Sequence, residues 1–312
     1  MEFSLDYLKL KIVIQLKEDT VLPRFPATTF RGGMGAVFKK SFCLSDSDKC
    51  LDCEYLDTCI FSYIFKTSMS KEAEIRNQSQ LVAPPYIIQV PFTKNKKEYK
   101  KREIIEVELT ILGNAIDYLS YFIYAFKELG QKGLGRNRSK FDILYVSHEN
   151  EIIYENDSLK KKVTGKSFKA KGNNEQSKVE EIELSFDYPV RIEKSGQLVS
   201  ENFTFELILR NIMRRLDSIT YFHMDYKLDL NFSQLVAQAK DIKQKKEQMK
   251  FYDNIRYSKN KEKKIWMGGF VGKIKFQGGL NKFIPLLKAG EIINLGKKCA
   301  YGMGDYQLKY NK

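Results

Sequence analysis

The chain has 312 residues, 43% of them hydrophobic, and carries 53 Lys and Arg against 39 Asp and Glu, a net charge of +14. That length and apolar content suit two cores, and the excess of cations points to a polyanionic partner, with a basic surface kept for solubility as the plainer reading. A run of about 18 uncharged apolar residues is missing and the first residues do not read as a secretory leader, so the expectation is a cytoplasmic protein, no membrane, and cysteines that are reduced or metal-bound.

Leu8, Leu10, Ile12, Ile14 and Leu16 alternate with residues such as Lys9, Lys11 and Lys17, which predicts a strand with one buried face. Pro23 and Pro26 end it, and a helix is predicted from Thr28 or Thr29 with Phe30, Met34, Val37 and Phe38 inward. Gly32, Gly33 and Gly35 fall inside that helix, where each costs about 1 kcal/mol relative to Ala. Such a cost implies close packing or close approach of a ligand, with Arg31 beside it.

Cys43, Cys50, Cys53 and Cys59 follow with the spacing C-x6-C-x2-C-x5-C. One C-x2-C knuckle and two flanking thiols suit a four-thiolate structural zinc, and the alternative is four reduced cysteines that only pack. A closed four-thiolate site has no open position for a substrate, so a catalytic metal is not expected there.

Pro84-Pro85 leads into a strand over 86–90, a basic hairpin tip over 94–102 and a strand carrying Ile105, Val107, Leu109 and Ile111. A helix is predicted over 114–129, with Asn114 as N-cap, Ile116, Leu119, Phe122, Ile123 and Phe126 inward and Gly130 just past its end. The basic loop Gly133-Leu134-Gly135-Arg136-Asn137-Arg138 and a strand over 143–146 complete this half. The order strand, helix, strand, strand, helix, strand is that of a ferredoxin-like fold.

Residues 159–178 are basic and poor in large apolar side chains, which reads as a hairpin tip or linker. A strand with Ile182, Leu184, Phe186, Tyr188 and Val190 then opens a second half, followed by a helix over 203–222. The stretch 240–264 holds ten basic and four acidic residues. Residues 235–249 read as a solvated charged helix, whereas Arg256, Tyr257, Lys259 and Lys261, leading to Trp266, alternate rings with cations around a hairpin. Rings stack on bases while cations hold phosphates, so this hairpin is expected to touch RNA.

After a strand beginning at Gly268-Gly269 and a short helix following Asn281 comes the loop Gly296-Lys297-Lys298-Cys299-Ala300-Tyr301-Gly302-Met303-Gly304. Glycine serves where a Cβ would obstruct an approach, and the adjacent lysines suggest that what approaches is anionic. Helix, basic glycine loop and strand therefore occur twice, which indicates duplication. The predicted fold is α+β, two tandem ferredoxin-like domains, each an antiparallel sheet with helices on one face. The expected boundaries are 1–150, with the cysteine insertion at 43–59, then a basic hairpin or linker over 151–178, then 179–312.

In this order, Arg31-Gly32-Gly33-Met34-Gly35, the cysteine cluster, Gly133-Leu134-Gly135, Ser218-Ile219-Thr220-Tyr221-Phe222-His223, Arg256-Tyr257-Ser258, Gly268-Gly269-Phe270-Val271-Gly272 and Gly302-Met303-Gly304-Asp305-Tyr306 resemble the RAMP superfamily of CRISPR-associated proteins. More narrowly they resemble the sixth Cas family, the endoribonucleases that process precursor CRISPR RNA. The resemblance implies one metal-independent cut within each repeat, in which the ribose 2′-OH attacks the adjacent phosphorus and leaves a 2′,3′-cyclic phosphate and a 5′-OH. The alternative it leaves open is a RAMP subunit that binds crRNA in an interference complex and cuts nothing.

The implied chemistry needs a base, an acid and cations around the phosphate. Histidine suits the proton transfers because its ordinary pKa is near 6.5, and the chain offers only His148 and His223. His223 is the first catalytic candidate, with capping of its own helix as the plainer alternative. Members of this family often place a histidine on or just after the first helix, where this chain has Lys39 and Lys40. Lys39, Lys40 and Tyr301 are therefore further catalytic candidates. The expected RNA-binding set is Arg31, Arg136, Arg138, Arg256, Tyr257, Lys259, Lys261, Lys297, Lys298, Gly302 and Gly304. Expected partners are CRISPR repeat RNA or crRNA, with an interference complex and a homodimer as further options. The expected cofactors are none for catalysis and structural zinc at Cys43, Cys50, Cys53 and Cys59.

Overall fold

The structure is a computed structural model that describes residues 2–311 apart from 46–49, 67–81, 93–97, 171–177, 195, 254 and 259–262. It divides into two compact units, one made of Asp6–Lys166 with Ser218–Tyr226, the other of Met1–Leu5, Ser167–Asp217 and Lys227–Lys312.

The first unit contains most of β1 (Phe3–Leu16), then β2 (Thr20–Val21), α1 (Ala27–Phe42), α2 (Ile60–Phe65), β3 (Tyr86–Gln89), β4 (Glu98–Tyr99), β5 (Ile104–Leu112), α3 (Leu119–Lys132), β6 (Phe141–His148), β7 (Glu151–Glu155) and β8 (Ser158–Leu159). Its sheet runs β3-β5-β1-β6-β7-β8, and the neighbouring strands are antiparallel. The alternation read in β1 is the cause: Leu8, Leu10, Ile12 and Ile14 are buried on the face that α1 and α3 cover. Phe30 and Phe38 of α1 meet Phe126 and Phe122 of α3, with ring centroids 6.2 and 5.4 Å apart. Large rings of this kind contribute most of the burial in such a core.

Two glycines explain how the helices come so close. A Cβ at Gly33 would overlap the Leu129 side chain, and one at Gly35 would stand 3.1 Å from the Phe65 ring. Gly33 and Gly35 are thus used for helix packing, whereas a Cβ at Gly32 would meet nothing within 4 Å. Asn114 does not cap a helix as expected: residues Gly113–Tyr118 form a 3-10 turn, and the Asn114 amide donates to Asp225 at 2.6 Å. Gly130 lies inside α3, where a Cβ would overlap the Phe141 carbonyl, and Gly133 takes the C-cap position.

In the second unit β9 (Lys166–Ala170) pairs with β1, so part of the stretch read as linker is strand; its residues 171–177 lie outside the described set. Then come β10 (Glu181–Val190), β11 (Glu193–Lys194), β12 (Gln197–Leu198), α4 (Phe205–His223), α5 (Phe232–Ala239), β13 (Lys243–Tyr252), β14 (Ile255–Ser258), β15 (Lys263–Trp266), β16 (Gly269–Gln277), α6 (Ile284–Ile293) and β17 (Gln307–Tyr310). The last turn of α4, from Ser218, belongs to the first unit.

The four-stranded sheet runs β13-β16-β10-β17. This repeats the order β3-β5-β1-β6, with β10 in the place of β1 and a glycine loop before each last strand. The two halves are therefore ferredoxin-like duplicates. Phe205 packs edge-on against Phe276 and Phe283, at 5.3 and 5.1 Å, to fill this core.

A further element differs from the sequence reading. Residues read as a charged helix over 235–249 end a short helix at Ala239 and then pair with β16, Gln248 opposite Lys273 and Phe251 opposite Phe270. As an edge strand with both faces largely wet, β13 lacks the alternation that marks a strand in sequence.

Candidate nucleic-acid interface

The C-terminal loop is built on backbone of positive φ. Asn294, Gly296, Lys298 and Gly302 have φ of +62°, +90°, +62° and +78°, and Gly304 follows at +76°. These conformations favour glycine. Leu295 N–H donates to the Gly304 carbonyl at 2.8 Å, Gly304 N–H to the Pro189 carbonyl at 2.9 Å, and Lys297 N–H to the Arg191 carbonyl at 2.8 Å. The Asn294 side-chain amide donates to the Met303 carbonyl at 3.1 Å.

A Cβ at Gly304 would overlap the Leu295 carbonyl, and one at Gly296 the Arg191 carbonyl. Backbone carbonyls, one from Arg191 beyond β10 and one from Leu295 beside the loop, therefore crowd these two glycines. Lys297 and Lys298 are both half-buried, and the Lys298 ammonium donates to the Trp266 carbonyl at the end of β15. Tyr301 is half-buried and Gly302 buried.

Beneath the loop, Arg215 of α4 is buried and donates through Nε to the Ile293 carbonyl at 2.5 Å, holding the end of α6. Burial lowers its pKa, an effect opposed by Cys299. The Cys299 thiol, itself pushed up by burial, donates to the Gly296 carbonyl at 3.4 Å. The sequence pattern, with Ile208, Ile212, Leu216 and Ile219 inward, reads Arg215 as turned elsewhere along with Arg210 and Arg214; the structure buries it instead.

The loop of the first unit is tied off differently. Leu134 and Ser139 exchange backbone hydrogen bonds at 2.8 and 3.0 Å, which closes a turn whose tip, Gly135 to Arg138, is exposed. Arg136 and Arg138 stand on this tip, and among the described residues neither makes an ion pair.

The other candidates are placed as follows. Arg31 is half-buried, donates to the Tyr86 hydroxyl at 3.0 Å and lies over the Phe65 ring. Lys39 is half-buried and Lys40 exposed in the last turn of α1. Arg256 and Tyr257 belong to β14, of which only the backbone is described, and Lys259 and Lys261 lie outside the described residues.

His223 is 1% exposed. Its Nε2 lies 2.7 Å from the Ala83 carbonyl, an acceptor, so that nitrogen carries the proton. The ring also meets Tyr63 edge-on at 5.4 Å. In this position it ties the end of α4 to the chain before β3, alongside Ser218, whose hydroxyl accepts from Ala83 N–H at 2.9 Å. His148 is likewise engaged: its Nδ1 is 2.8 Å from the Lys9 carbonyl.

Among the described residues no group of three or more His, Cys, Asp or Glu is gathered to hold a metal. The Cys43 thiol donates to the Ser45 carbonyl at 3.2 Å and Cys59 faces the Phe42 carbonyl at 3.9 Å. No described helix is long and apolar enough to cross a membrane.

Comparison with known proteins bears on these features. Residues 184–306 match the family model described as CRISPR-associated endoribonuclease Cas6, and residues 5–167 match a family model described as an N-terminal domain. Residues 184–306 thus carry a Cas6-type domain. The segment matched by the Cas6 model contains α4, the β14–β15 hairpin and the loop through Tyr306. A protein of Archaeoglobus fulgidus called uncharacterized is 24% identical over 99% of this chain and all of its own length.

Among solved structures, a product complex of Thermus thermophilus Cas6 superposes with a TM-score of 0.57 at 12% identity, over 97% of this chain and 100% of that one. A chain of a partial Cas6-RT-Cas1–Cas2 complex gives 0.57 at 13% identity over 98% of this chain. This chain spans 46% of that longer protein. At such identities these likenesses concern the fold.

Proposed function

We propose that this chain binds CRISPR repeat RNA and cuts it once within each repeat to release crRNA. The observation that carries the reading is the twice-used turn of helix, glycine loop and strand that presents Arg136 and Arg138 in one unit and Lys297 and Lys298 in the other, in a chain whose C-terminal half matches a family described as an endoribonuclease. Cations fixed on turns can hold successive phosphates without reading their sequence.

The chemistry proposed is attack of a ribose 2′-OH on the adjacent phosphorus as the 5′-oxygen leaves and takes up a proton, giving a 2′,3′-cyclic phosphate and a 5′-OH with no metal ion. With Nε2 of His223 committed to Ala83, the proposal gives that residue no proton transfer. The turn of ribose against phosphate is assigned to binding geometry, and the charge on the phosphoryl oxygens to Lys39 and Lys40 of the first unit. Catalysis by position and charge alone is slower than catalysis with a tuned histidine, since general acid–base transfer contributes about 10²- to 10⁴-fold.

A second reading is favoured by the same histidines: a RAMP protein that holds crRNA within an interference complex and cuts nothing. Incubating the protein with end-labelled repeat RNA in EDTA separates the two. One product ending in a cyclic phosphate supports the nuclease; tight binding with intact RNA supports the holding role.

A further inference from the structure

A cavity of about 460 Å³ opens between α4 and α5, both sides of it in the second unit. Met213 of α4 and Val236 of α5, both buried, form an apolar floor, and the half-buried ring of Phe232 faces the same space. Arg214 and Lys240, both exposed, stand on the rim, and among the described residues neither has an ion-pair partner. Arg210 is also at the rim but is held by Glu206 at 2.8 Å, and Asp217 is the one acid in the lining.

We infer that this cavity takes one unpaired nucleotide of the bound RNA, its base against Phe232 and its phosphate between Arg214 and Lys240. The inference rests on the RNA-binding reading above and adds a site on the helical side of the second unit, apart from the glycine loop. The size decides in favour of a nucleotide: the volume lies in the roughly 300–1,000 Å³ of small-ligand pockets. The pairing of an apolar floor and a half-buried ring with two uncommitted cations matches a base with its phosphate; a purely apolar ligand would leave the cations unused.

The test uses the full chain with a fluorescein-labelled repeat RNA carrying unpaired flanks, measured by anisotropy, and the same RNA bearing 4-thiouridine for photocrosslinking. Phe232→Leu keeps the floor apolar and removes the ring face, so RNA affinity falls by about 5- to 150-fold, the range for one stacked base. Arg214→Ala with Lys240→Ala lowers the slope of log affinity against log salt by about 0.7, the value for one phosphate of a single strand. Crosslinks map to peptides containing Phe232. Wild-type binding with Phe232→Leu unchanged and no crosslink to α4 or α5 overturns the inference and leaves the RNA reading standing. A wild-type chain that binds no repeat RNA overturns both.

Discussion

The imidazole of His223 donates through Nε2 to the carbonyl of Ala83, 2.7 Å away, in a position that is 1% exposed. A residue that sequence alone offers as a general base is thereby a strut between the end of α4 and the entry to β3. The backbone around it is equally tight, since a Cβ at Gly113 would overlap the His223 carbonyl.

His223→Ala should therefore cost stability. Leaving the Ala83 carbonyl without its donor is worth about 1–3 kcal/mol, read by chemical denaturation, and RNA cleavage should fall only with the folded fraction. A variant of unchanged stability whose cleavage drops by about 10²- to 10⁴-fold would return His223 to the chemistry.

Gly304→Ala distinguishes a glycine needed by the fold from one needed by a ligand. With φ at +76° and the Leu295 carbonyl in the way of a Cβ, the substitution should destabilise the chain by more than about 1 kcal/mol, whereas Gly→Ala at a position of compatible backbone stabilises. A variant with an unchanged melting temperature and no RNA binding would mean that the loop's backbone meets the RNA instead.

The buried phenol of Tyr306 donates to the Leu287 carbonyl at 2.5 Å, and burial, with Glu291 and Asp305 nearby, holds its pKa well above 10. The folded pKa is raised, so the stabilisation is complete below the unfolded value near 10 and is lost as pH rises beyond it. Stability measured from pH 9 to 11 should fall more steeply for the wild type than for Tyr306→Phe; parallel curves would contradict this.

How much of this was legible in the sequence depends on where the signal lay. In β1 it was local: every second residue is apolar, and those residues are buried. In β13 it was not, because Lys243–Tyr252 is a strand only through its pairing with β16, and an edge strand wet on both faces carries no period-two pattern. The glycine loops are legible as loops, but the crowding of Gly296 by the Arg191 carbonyl is not, because Arg191 lies far from it in sequence. Burial of His223 is tertiary in the same way, since Ala83 stands 140 positions earlier.

The cysteines give a further test. With the Cys43 and Cys59 thiols directed at backbone carbonyls and no described metal-ligating group, purified protein should contain under about a tenth of an equivalent of zinc, and EDTA should leave its melting temperature unchanged. One equivalent of zinc whose removal lowers the melting temperature would instead mean that Cys43, Cys50, Cys53 and Cys59 close around a metal.

The cationic tip at Arg136 and Arg138 should behave as a phosphate seat. Replacing both with Ala should weaken repeat-RNA binding and reduce its salt slope by about 0.7 for each single-strand phosphate that the tip no longer neutralises. An unchanged slope would remove this tip from the interface.

The most direct measurement is single-turnover incubation of the protein with end-labelled CRISPR repeat RNA in EDTA, with the product ends analysed. The account predicts one cut, a 2′,3′-cyclic phosphate on the upstream fragment and a 5′-OH on the downstream one. Saturated binding with RNA that stays whole, or cleavage that appears only when a divalent cation is restored, would contradict it.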